Sequence, residues 1–412
     1  MPLATNSLST LVQKLRRDVL GRFPRGIWVI TSIQAFTAAG YSICFPFLAL
    51  YLHQERDLSM TLVGMMFLIS GLCSSITQMM GGALADRFGR RGLLLGAMGI
   101  SAFVHSGLAV LVGVTAPIWA IMLTIILGQS ILMMAGPALR AMIADLSPKD
   151  RLTETYSIMR IGANAGFAAG PAVGGYLLTI FPYAWLLGAA VLASALAFFL
   201  TLFFIKESYH SGSERVGFRS MFSITTDRTF LIFTMLSLLI FLAMAHFGST
   251  LSVFTVDRLG FSTAAYGLLL TINCLIVVVF QYPVARGVDK LPRAQGLVLG
   301  SLLYGFGWLL FGWITDFGWA VMAMVVVTAG EIITTPLALS VVAELSPADK
   351  RGRYMGFFGL SMSLGTALAP LLGGVLLDAF PTEPWFIWGI IASGAFAAAV
   401  GFQWWGITQR TT

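Results

Sequence analysis

The sequence predicts an all-α integral membrane protein whose twelve transmembrane helices form two parallel, pseudo-symmetric halves of six. Composition, the length of the apolar runs and an internal repeat each support this class. Of the 412 residues, 57% are hydrophobic and only 10% are charged, whereas a soluble protein carries roughly 25% charged residues. Most of the surface of this chain therefore cannot face water.

Twelve apolar runs follow one another along the chain. A helix needs roughly 20 residues to cross the hydrocarbon core of a bilayer, and clear examples of such runs are 26–52, 60–84, 117–143, 230–255 and 319–342. A buried core helix of a soluble protein is the alternative for any single run, but no soluble domain has the interior volume for twelve. The 44 glycines agree with this class, because helices in lipid pack closely through small residues.

The net charge of +7 reflects membrane topology rather than a nucleic-acid partner. Most of the 25 Lys and Arg residues fall at the termini and in alternate loops, and the opposite loops hold only Arg56 and Arg258. This positive-inside pattern predicts that both termini are cytoplasmic, in the cell inner (plasma) membrane. Residues 1–25 lack the core of a signal peptide. We expect an amphipathic helix there on the inner membrane surface, with a disordered leader as the alternative.

An internal repeat divides the chain. Residues 144–151 (ADLSPKDR) recur as 343–350 (AELSPADK), an offset of 199 (343 − 144). Earlier in each half the offset is 203, which aligns Gly64 with Gly267 and Asp86 with Asp289. The predicted organisation is a cytoplasmic leader (1–25), a six-helix half (26–205), a cytoplasmic linker (206–228) and a second six-helix half (229–412). Transporters built from parallel repeats bind substrate near the membrane midplane, between the halves.

Two motifs carry a resemblance to a known family. The loop after the second helix reads GALADRFGRR over residues 82–91, and the fifth helix reads GFAAGPAVGG over residues 166–175. With these motifs the chain resembles the major facilitator superfamily, and in particular its branch of drug:proton antiporters with twelve helices. The motif residues that we expect to act in gating are Gly82, Asp86, Arg87, Gly89, Arg90, Gly166, Gly170, Pro171, Gly174 and Gly175.

Asp86 lies where the second helix leaves the membrane. A carboxylate there can cap the positive N-terminal end of a helix from the other half, or pair with Arg87 or Arg140. The resemblance implies that this partner is the eleventh helix, which begins near Arg351, and that Asp145 joins the charge cluster. Such a latch would hold the cytoplasmic side closed; the alternative is that these charges only solvate a loop.

Gly166, Gly170 and Gly174 form a smooth stripe along the fifth helix, which allows another helix to approach closely. Pro171 removes a backbone donor and is expected to bend that helix. The resemblance implies that the stripe packs on the eighth helix, in the opposite half, and forms a gate. Plain packing is the alternative.

Two charged residues are predicted inside the membrane, where an ionisable side chain is costly enough that a function is the first hypothesis. Glu331 is expected near the bilayer centre, and we predict that it is the proton-coupling site. Arg160, on the fifth helix, is expected to hold Glu331 ionised or to bind an anionic part of a substrate. Neither charge is repeated, because Leu132 and Gly359 occupy the corresponding positions. A permanent structural tie without a role in transport is the alternative.

A substrate cavity is predicted between the halves. Its expected lining residues are Gln34, Tyr41, Arg160, Asn164, His246, Asn273 and Glu331; interhelical hydrogen bonding or packing is the alternative for the uncharged members. The three cysteines have neither disulfide nor zinc spacing. We expect no metal and no cofactor, and the proton gradient as the energy source.

The expected function is secondary active transport, namely proton-coupled efflux of drug-like or amphipathic small molecules by alternating access. The alternative is a proton symporter or facilitator for a nutrient or lipid-like metabolite. The chain lacks the intramembrane acid of the first helix and the mid-helix arginine of the fourth that many drug exporters of the family carry, so proton coupling depends on Glu331. An enzyme is not expected, because nucleophile-elbow, zinc and phosphate-loop motifs are absent from the sequence. The expected partners are a small-molecule substrate and the lipid bilayer, without nucleic acid, and the protein is expected to be a monomer.

Overall fold

The computed structural model describes residues 23–147, 152–207, 227–288, 291–347 and 351–411. Most of the expected leader and linker lies outside these ranges, as do Asp289 and Lys290. The side chain of Asp86 and those of residues 351–353 are also outside the description.

Twelve helical segments in the described ranges cross the membrane in turn. They are α1 (Arg25–Glu55), α2 (Met60–Phe88), α3 (Arg90–Gly113), α4 (Ile118–Leu146), α5 (Leu152–Leu177), α6 (Tyr183–Phe204), α7 (228–258), α8 (Thr263–Val288), α9 (Arg293–Phe311), α10 (Phe317–Leu345), α11 (Arg351–Ala379) and α12 (Pro384–Thr411). Ten of these are long and apolar enough to span a bilayer by length and composition alone. The other two are α5, which carries the polar residues of the motif, and α7, which is interrupted.

The two halves have the same helix packing. In the first half α1 packs against α5 and α6, α4 packs against α2 and α3, and α3 packs against α6. In the second half α7 packs against α11 and α12, α10 packs against α8 and α9, and α9 packs against α12. Adding six to the helix numbers of each packed pair in the first half gives a packed pair in the second half. The predicted fold of two parallel six-helix halves is confirmed.

Both α1 and α7 are interrupted at the same level. In α1 the regular helix ends at Cys44, and a 3-10 turn follows at Phe45–Phe47, where Pro46 supplies no backbone donor. In α7 the helix ends at Met244 and restarts at Thr250. Both α1 and α7 continue beyond these breaks to the membrane face opposite the termini. We call this the opposite face, and we call the face at which α1 begins and α12 ends the terminal face.

The halves meet along two seams, α2 with α11 and α5 with α8. Gly64 lies against the backbone of Pro370, and Gly267 lies against the backbone of Pro171. Gly374 likewise contacts Met60, and Gly175 contacts Thr263. A Cβ atom on any of these glycines would overlap the neighbouring backbone, so only glycine permits the approach.

The structure corrects the predicted partner of the glycine stripe in α5. Gly166, Gly170 and Gly174 pack on Ala35, Ser42 and Ile43 of α1, within the same half. The residues of α5 that meet α8 are Pro171 and Gly175. Each of them follows a stripe glycine by one position, which is a turn of about 100° around the helix. The motif therefore serves two neighbours at once, one on each side of α5.

A carboxylate fastens the α2–α11 seam at the opposite face. Asp378, at the end of α11, accepts hydrogen bonds from the backbone N–H groups of Met60 (3.0 Å) and Thr61 (2.6 Å). These groups begin α2, where the helix dipole favours a negative charge. The Gln54 side chain at the end of α1 also donates across the halves to the Asp257 carboxylate of α7 (3.3 Å). The closure at this face therefore combines backbone packing with polar contacts.

Toward the terminal face the halves diverge. Gly64, Gly71 and Gln78 are spaced seven residues apart and lie on the same side of α2. Gly64 and Gly71 contact α11, at Pro370 and Ala367, whereas Gln78 lines an open cavity. Gly359, near the terminal end of α11, has open space where its Cβ would be. The structure is therefore closed at the opposite face and open toward the terminal face.

We expect Gly267→Ala to prevent full closure of the α5–α8 seam, because the added methyl group meets the carbonyl of Pro171. Cys274 lines the cavity and reports its accessibility once Cys44 and Cys73 are replaced. A membrane-impermeant maleimide added at the opposite face should label Cys274 faster in this variant. Gly287→Ala is the control, because Gly287 lies on the same helix as Gly267 and a Cβ added there would contact no other atom. Equal labelling in the two variants would contradict the assigned seam.

Candidate functional site

A cavity of about 580 Å³ lies between the halves. Its walls come from α1, α2, α4 and α5 of the first half and from α7, α8, α10 and α11 of the second. Both interrupted helices contribute, through Phe45 and Pro46 of α1 and through Phe247, Gly248 and Ser249 of α7. The breaks form the end of the cavity nearer the opposite face.

Glu331 lies on the cavity wall at the centre of α10, fourteen residues from either end (331 − 317 and 345 − 331). It is half-buried. Asn273 of α8 donates one hydrogen bond to Glu331 Oε2 (3.0 Å) and another to the hydroxyl of Thr328 (2.8 Å). The Thr328 hydroxyl in turn donates to the carbonyl of Met324 (2.6 Å). One carboxylate oxygen of Glu331 is therefore held by α8.

Arg160 lies on the first half, opposite the half that carries Glu331. It is exposed on α5, one helical turn from Asn164, which lines the cavity. Among the described side chains, no direct ion pair joins Arg160 to Glu331. Arg160 lies on the side of Asn164 nearer the terminal face, toward which the cavity opens.

Aromatic rings form much of the wall on the first half. The Tyr41 ring stacks on Phe45, with centroids 4.4 Å apart, and Phe167 lies 6.3 Å from Tyr41. Tyr41 and Gln129 both line this cavity. Among the described lining residues, Glu331 is the only charged one. A single carboxylate facing aromatic rings suits a ligand with an apolar body and a positively charged group.

The structure brings four of the predicted cavity residues together, namely Tyr41, Asn164, Asn273 and Glu331. Gln34 and Arg160 are not part of the lining. Gln34 lies two turns before Tyr41 on the same face of α1, and Arg160 lies one turn before Asn164 on the same face of α5. Both are therefore nearer the terminal face.

The prediction that His246 lines the cavity is wrong. Its side chain is completely buried inside the second half, where Nδ1 forms a hydrogen bond with the Thr250 hydroxyl (2.9 Å) and the ring meets Trp308 edge-on. The physical reason is the break in α7. It turns His246 inward while Phe247 and Ser249 face the cavity.

The loop motif at the terminal face forms contacts within the first half. Arg90 pairs with Asp145, and the Glu207 side chain accepts hydrogen bonds from the backbone N–H groups of Arg90 (3.0 Å) and Arg91 (3.1 Å). Gly89 joins α2 to α3 with φ of 79°, a conformation that favours glycine. Arg87 and Arg140 are exposed. The Asp86 latch to α11 stays a prediction, since the Asp86 side chain is not described.

Three groups of contact residues were missed by the sequence analysis. The second half repeats the Arg90–Asp145 pair as Arg293–Glu344 (2.9 Å), and the offsets 203 (293 − 90) and 199 (344 − 145) could have identified it. Asp378 has no repeat and left no signal. The hydroxyl groups of Ser70, Ser74 and Thr366 line the cavity, but serine and threonine in membrane helices resemble packing residues in a sequence.

Comparison with known proteins agrees with the fold and the cavity. The family model described as Major Facilitator Superfamily matches residues 30–370 and 233–411. The fold and its central cavity define a membrane transporter, and the chain belongs to the Major Facilitator Superfamily.

Several relatives and solved structures are similar to this chain. The Na(+), Li(+), K(+)/H(+) antiporter of Planococcus maritimus is 27% identical over 404 residues, covering 89% of this chain and 92% of the relative. Multidrug resistance protein MdtH of Yersinia enterocolitica is 26% identical over 373 residues, covering 89% and 90%. The nucleoside transporter NupG superimposes with a TM-score of 0.78 at 15% identity, covering 92% of this chain and 99% of NupG. A POT family transporter in complex with a thioalcohol-conjugated peptide gives 0.76 at 16% identity, covering 92% and 95%. These two structures show the fold alone.

We expect Asn273→Ala to abolish transport, because it removes the donor to Glu331 as well as the tie to Thr328. Losing this buried pairing should also cost about 1–3 kcal/mol of stability, measured by thermal unfolding in detergent. Gln281→Ala is the matched control, since Gln281 joins the same two helices through the carbonyl of Ile332 (3.1 Å). If both variants lose activity equally, Asn273 is a structural tie and not part of the Glu331 site.

Proposed function

We propose that the protein is a proton-coupled exporter of amphipathic, drug-like small molecules that works by alternating access. The observation that carries this proposal is Glu331, one half-buried carboxylate at the centre of a cavity whose other described lining residues are uncharged. The relatives named as antiporters and as multidrug resistance proteins support the same class.

Competition at Glu331 supplies the coupling. A buried carboxylate is costly to leave charged and unpaired, so it is favoured either as the protonated acid or as the partner of a positively charged substrate group. Substrate binding then displaces the proton, and proton binding displaces the substrate. This exchange yields antiport when the two events occur on opposite sides of the membrane.

The terminal face is proposed to be cytoplasmic. Arg90 and Arg91 begin α3 there, and Arg293 begins α9, which fits the preference of basic residues for the cytoplasmic side. The structure then represents the state open to the cytoplasm, in which substrate enters the cavity. The protein is proposed to reside in the plasma membrane and to act as a monomer, powered by the proton gradient.

Arg160 is proposed to favour release of the proton from Glu331. Its positive charge lies on the half opposite the carboxylate, and a positive charge near a carboxylate favours the ionised form. When the halves rock, the distance between α5 and α10 changes, and the strength of this interaction changes with it. Proton affinity is thereby linked to the conformation of the protein.

A monovalent metal cation is the second candidate substrate. The observation that favours it is the relative named as a Na(+), Li(+), K(+)/H(+) antiporter, together with oxygen atoms of Glu331 and Asn273 at one place on the wall. Carboxylate and carbonyl oxygens are the ligands that hard cations prefer. The cavity is large for a bare ion, so the organic substrate remains the first candidate.

We expect tetraphenylphosphonium to release protons from acidified everted vesicles that contain the wild-type protein. Glu331→Gln should lose this response, because a neutral amide cannot bind and release the proton. Glu344→Gln is the control, since Glu344 ends the same helix, is exposed and pairs with Arg293 at the surface. The measurement is the fluorescence of a pH-sensitive dye, and Na⁺, K⁺ and neutral lipophilic compounds are added in parallel.

Each outcome separates the candidate functions. A response to Na⁺ or K⁺ alone would select cation–proton antiport. Equal responses of wild type and Glu331→Gln would remove Glu331 from the mechanism. If no compound releases protons, but a substrate and protons move together into the cell, the symporter hypothesis replaces the export hypothesis.

A further inference from the structure

Buried polar atoms without a partner are concentrated in the second half. Eight such side-chain atoms occur in the described chain, and seven of them belong to this half: Thr234, His246, Ser249, Thr271, Tyr304, Trp308 and Trp388. The great majority of buried polar groups in proteins are hydrogen-bonded, often to internal water. The concentration of unpaired groups in one half of a symmetric fold therefore indicates a place that can bind water.

Four of these residues form one cluster, which we call the inner cluster: His246, Tyr304, Trp308 and Trp388. Their side chains are completely buried. Tyr304 and Trp308 lie one turn apart on the same side of α9. The Trp308 ring stacks on Trp388 with centroids 5.1 Å apart, and it meets the His246 ring edge-on at 6.2 Å.

One end of the inner cluster reaches the site of Glu331. Tyr304 packs directly on Gly330, the neighbour of Glu331 in α10, where a side chain would have no room. Because α9 begins at the terminal face, the step from Tyr304 to Trp308 leads toward the opposite face. The inner cluster therefore extends from the cavity acid toward the closed side of the protein.

The other end of the inner cluster lies in the break of α7. His246 Nδ1 is paired with the Thr250 hydroxyl (2.9 Å), and Thr250 begins the segment of α7 that continues to the opposite face. His246 Nε2 is buried without a partner. In the same break, the Ser249 hydroxyl is buried and unpaired, and other atoms of Ser249 belong to the cavity wall.

The first half gives a direct comparison. At the offset of 203, Tyr304 and Trp308 correspond to Ser101 and His105 (304 − 203 and 308 − 203). His105 Nδ1 lies 3.2 Å from the Ser101 hydroxyl and 3.3 Å from that of Ser194. Polar groups at the equivalent place in the first half thus have protein partners. In the inner cluster, His246 Nε2, the Tyr304 hydroxyl and the two indole N–H groups have none.

We propose that the inner cluster binds water and forms the path by which protons pass between Glu331 and the opposite face, with His246 as the relay. This inference rests on the proton coupling of the proposed function. The Tyr304 hydroxyl, the two indole N–H groups and His246 Nε2–H donate to water oxygens, while His246 Nδ1 accepts from the Thr250 hydroxyl.

The transfer balances without another reactant. A proton that the Thr250 hydroxyl passes to His246 Nδ1 is matched by release of the Nε2 proton to water, so the imidazole ends neutral in its other tautomer. The released proton crosses the water to the Glu331 carboxylate, which becomes a carboxylic acid. Glu331 later releases this proton to the cavity, and the ring returns to its first tautomer by rotation between transfers.

Hydroxyl-radical labelling by X-ray radiolysis tests the water directly, because radicals form from water bound beside buried side chains. We expect Tyr304 in membrane-embedded wild-type protein to be oxidised several-fold faster than Tyr183, a rate difference set by local water. Tyr183 is equally buried, and its hydroxyl donates to the carbonyl of Cys44 (3.2 Å). Equal, slow oxidation of the two tyrosines would overturn the proposed water.

Transport assays test the relay. With tetraphenylphosphonium as the probe, His246→Phe and Tyr304→Phe should slow proton-driven transport about tenfold or more, a typical loss on removing a proton-transfer group. Exchange of labelled for unlabelled probe moves no net proton and should stay near the wild-type rate, which also shows that the variants fold. His105→Phe is the matched control for loss of a buried histidine and should keep both rates.

The outcomes separate this inference from the proposed function. Proton-driven transport at the wild-type rate in His246→Phe and Tyr304→Phe would overturn the path and leave the role of Glu331 intact. A parallel loss of exchange and proton-driven transport would mark the inner cluster as structural, which also overturns the path. Absence of proton-linked flux in the wild type would overturn the proposed function and the relay together.

Discussion

Backbone contact at the two seams between the halves is the constraint on which the rest of the structure depends. Gly64 and Gly267 each meet the backbone of a proline in the other half, and these contacts bring the helices close together only on the side of the opposite face. Helices that are joined at one end and apart at the other leave a wedge between them. The cavity is that wedge, and the glycine contacts close its end at the opposite face.

The polar contacts of the closed end depend on the same approach. Asp378 reaches the first N–H groups of α2 only because Gly374, one turn earlier on α11, lets the two helices touch. At the other end of this helix pair, Asp86 is predicted to serve α11 in the same manner. Two carboxylates at opposite ends of one helix pair would then stabilise the two states in alternation, each through a helix dipole.

Symmetry and asymmetry have separate roles in the molecule. Features that occur twice, such as the Arg90–Asp145 and Arg293–Glu344 pairs, hold helices of one half together. The charged residues predicted inside the membrane occur once, because Glu331 has a leucine at the corresponding position and Arg160 has a glycine. The scaffold is therefore symmetric, whereas these two charges are not.

The sequence by itself determined the membrane class, the two six-helix halves, the mid-membrane depth of Glu331 and its lack of a repeat. These features follow from hydropathy and from the internal repeat, which are properties of the linear sequence. Tertiary structure alone decided which neighbour each face meets. A turn of about 100° between adjacent residues sends Gly174 to α1 and Gly175 to α8, and a break in α7 sends His246 inward while Ser249 lines the cavity. Such choices depend on the packing of whole helices, and no local pattern of residues encodes them.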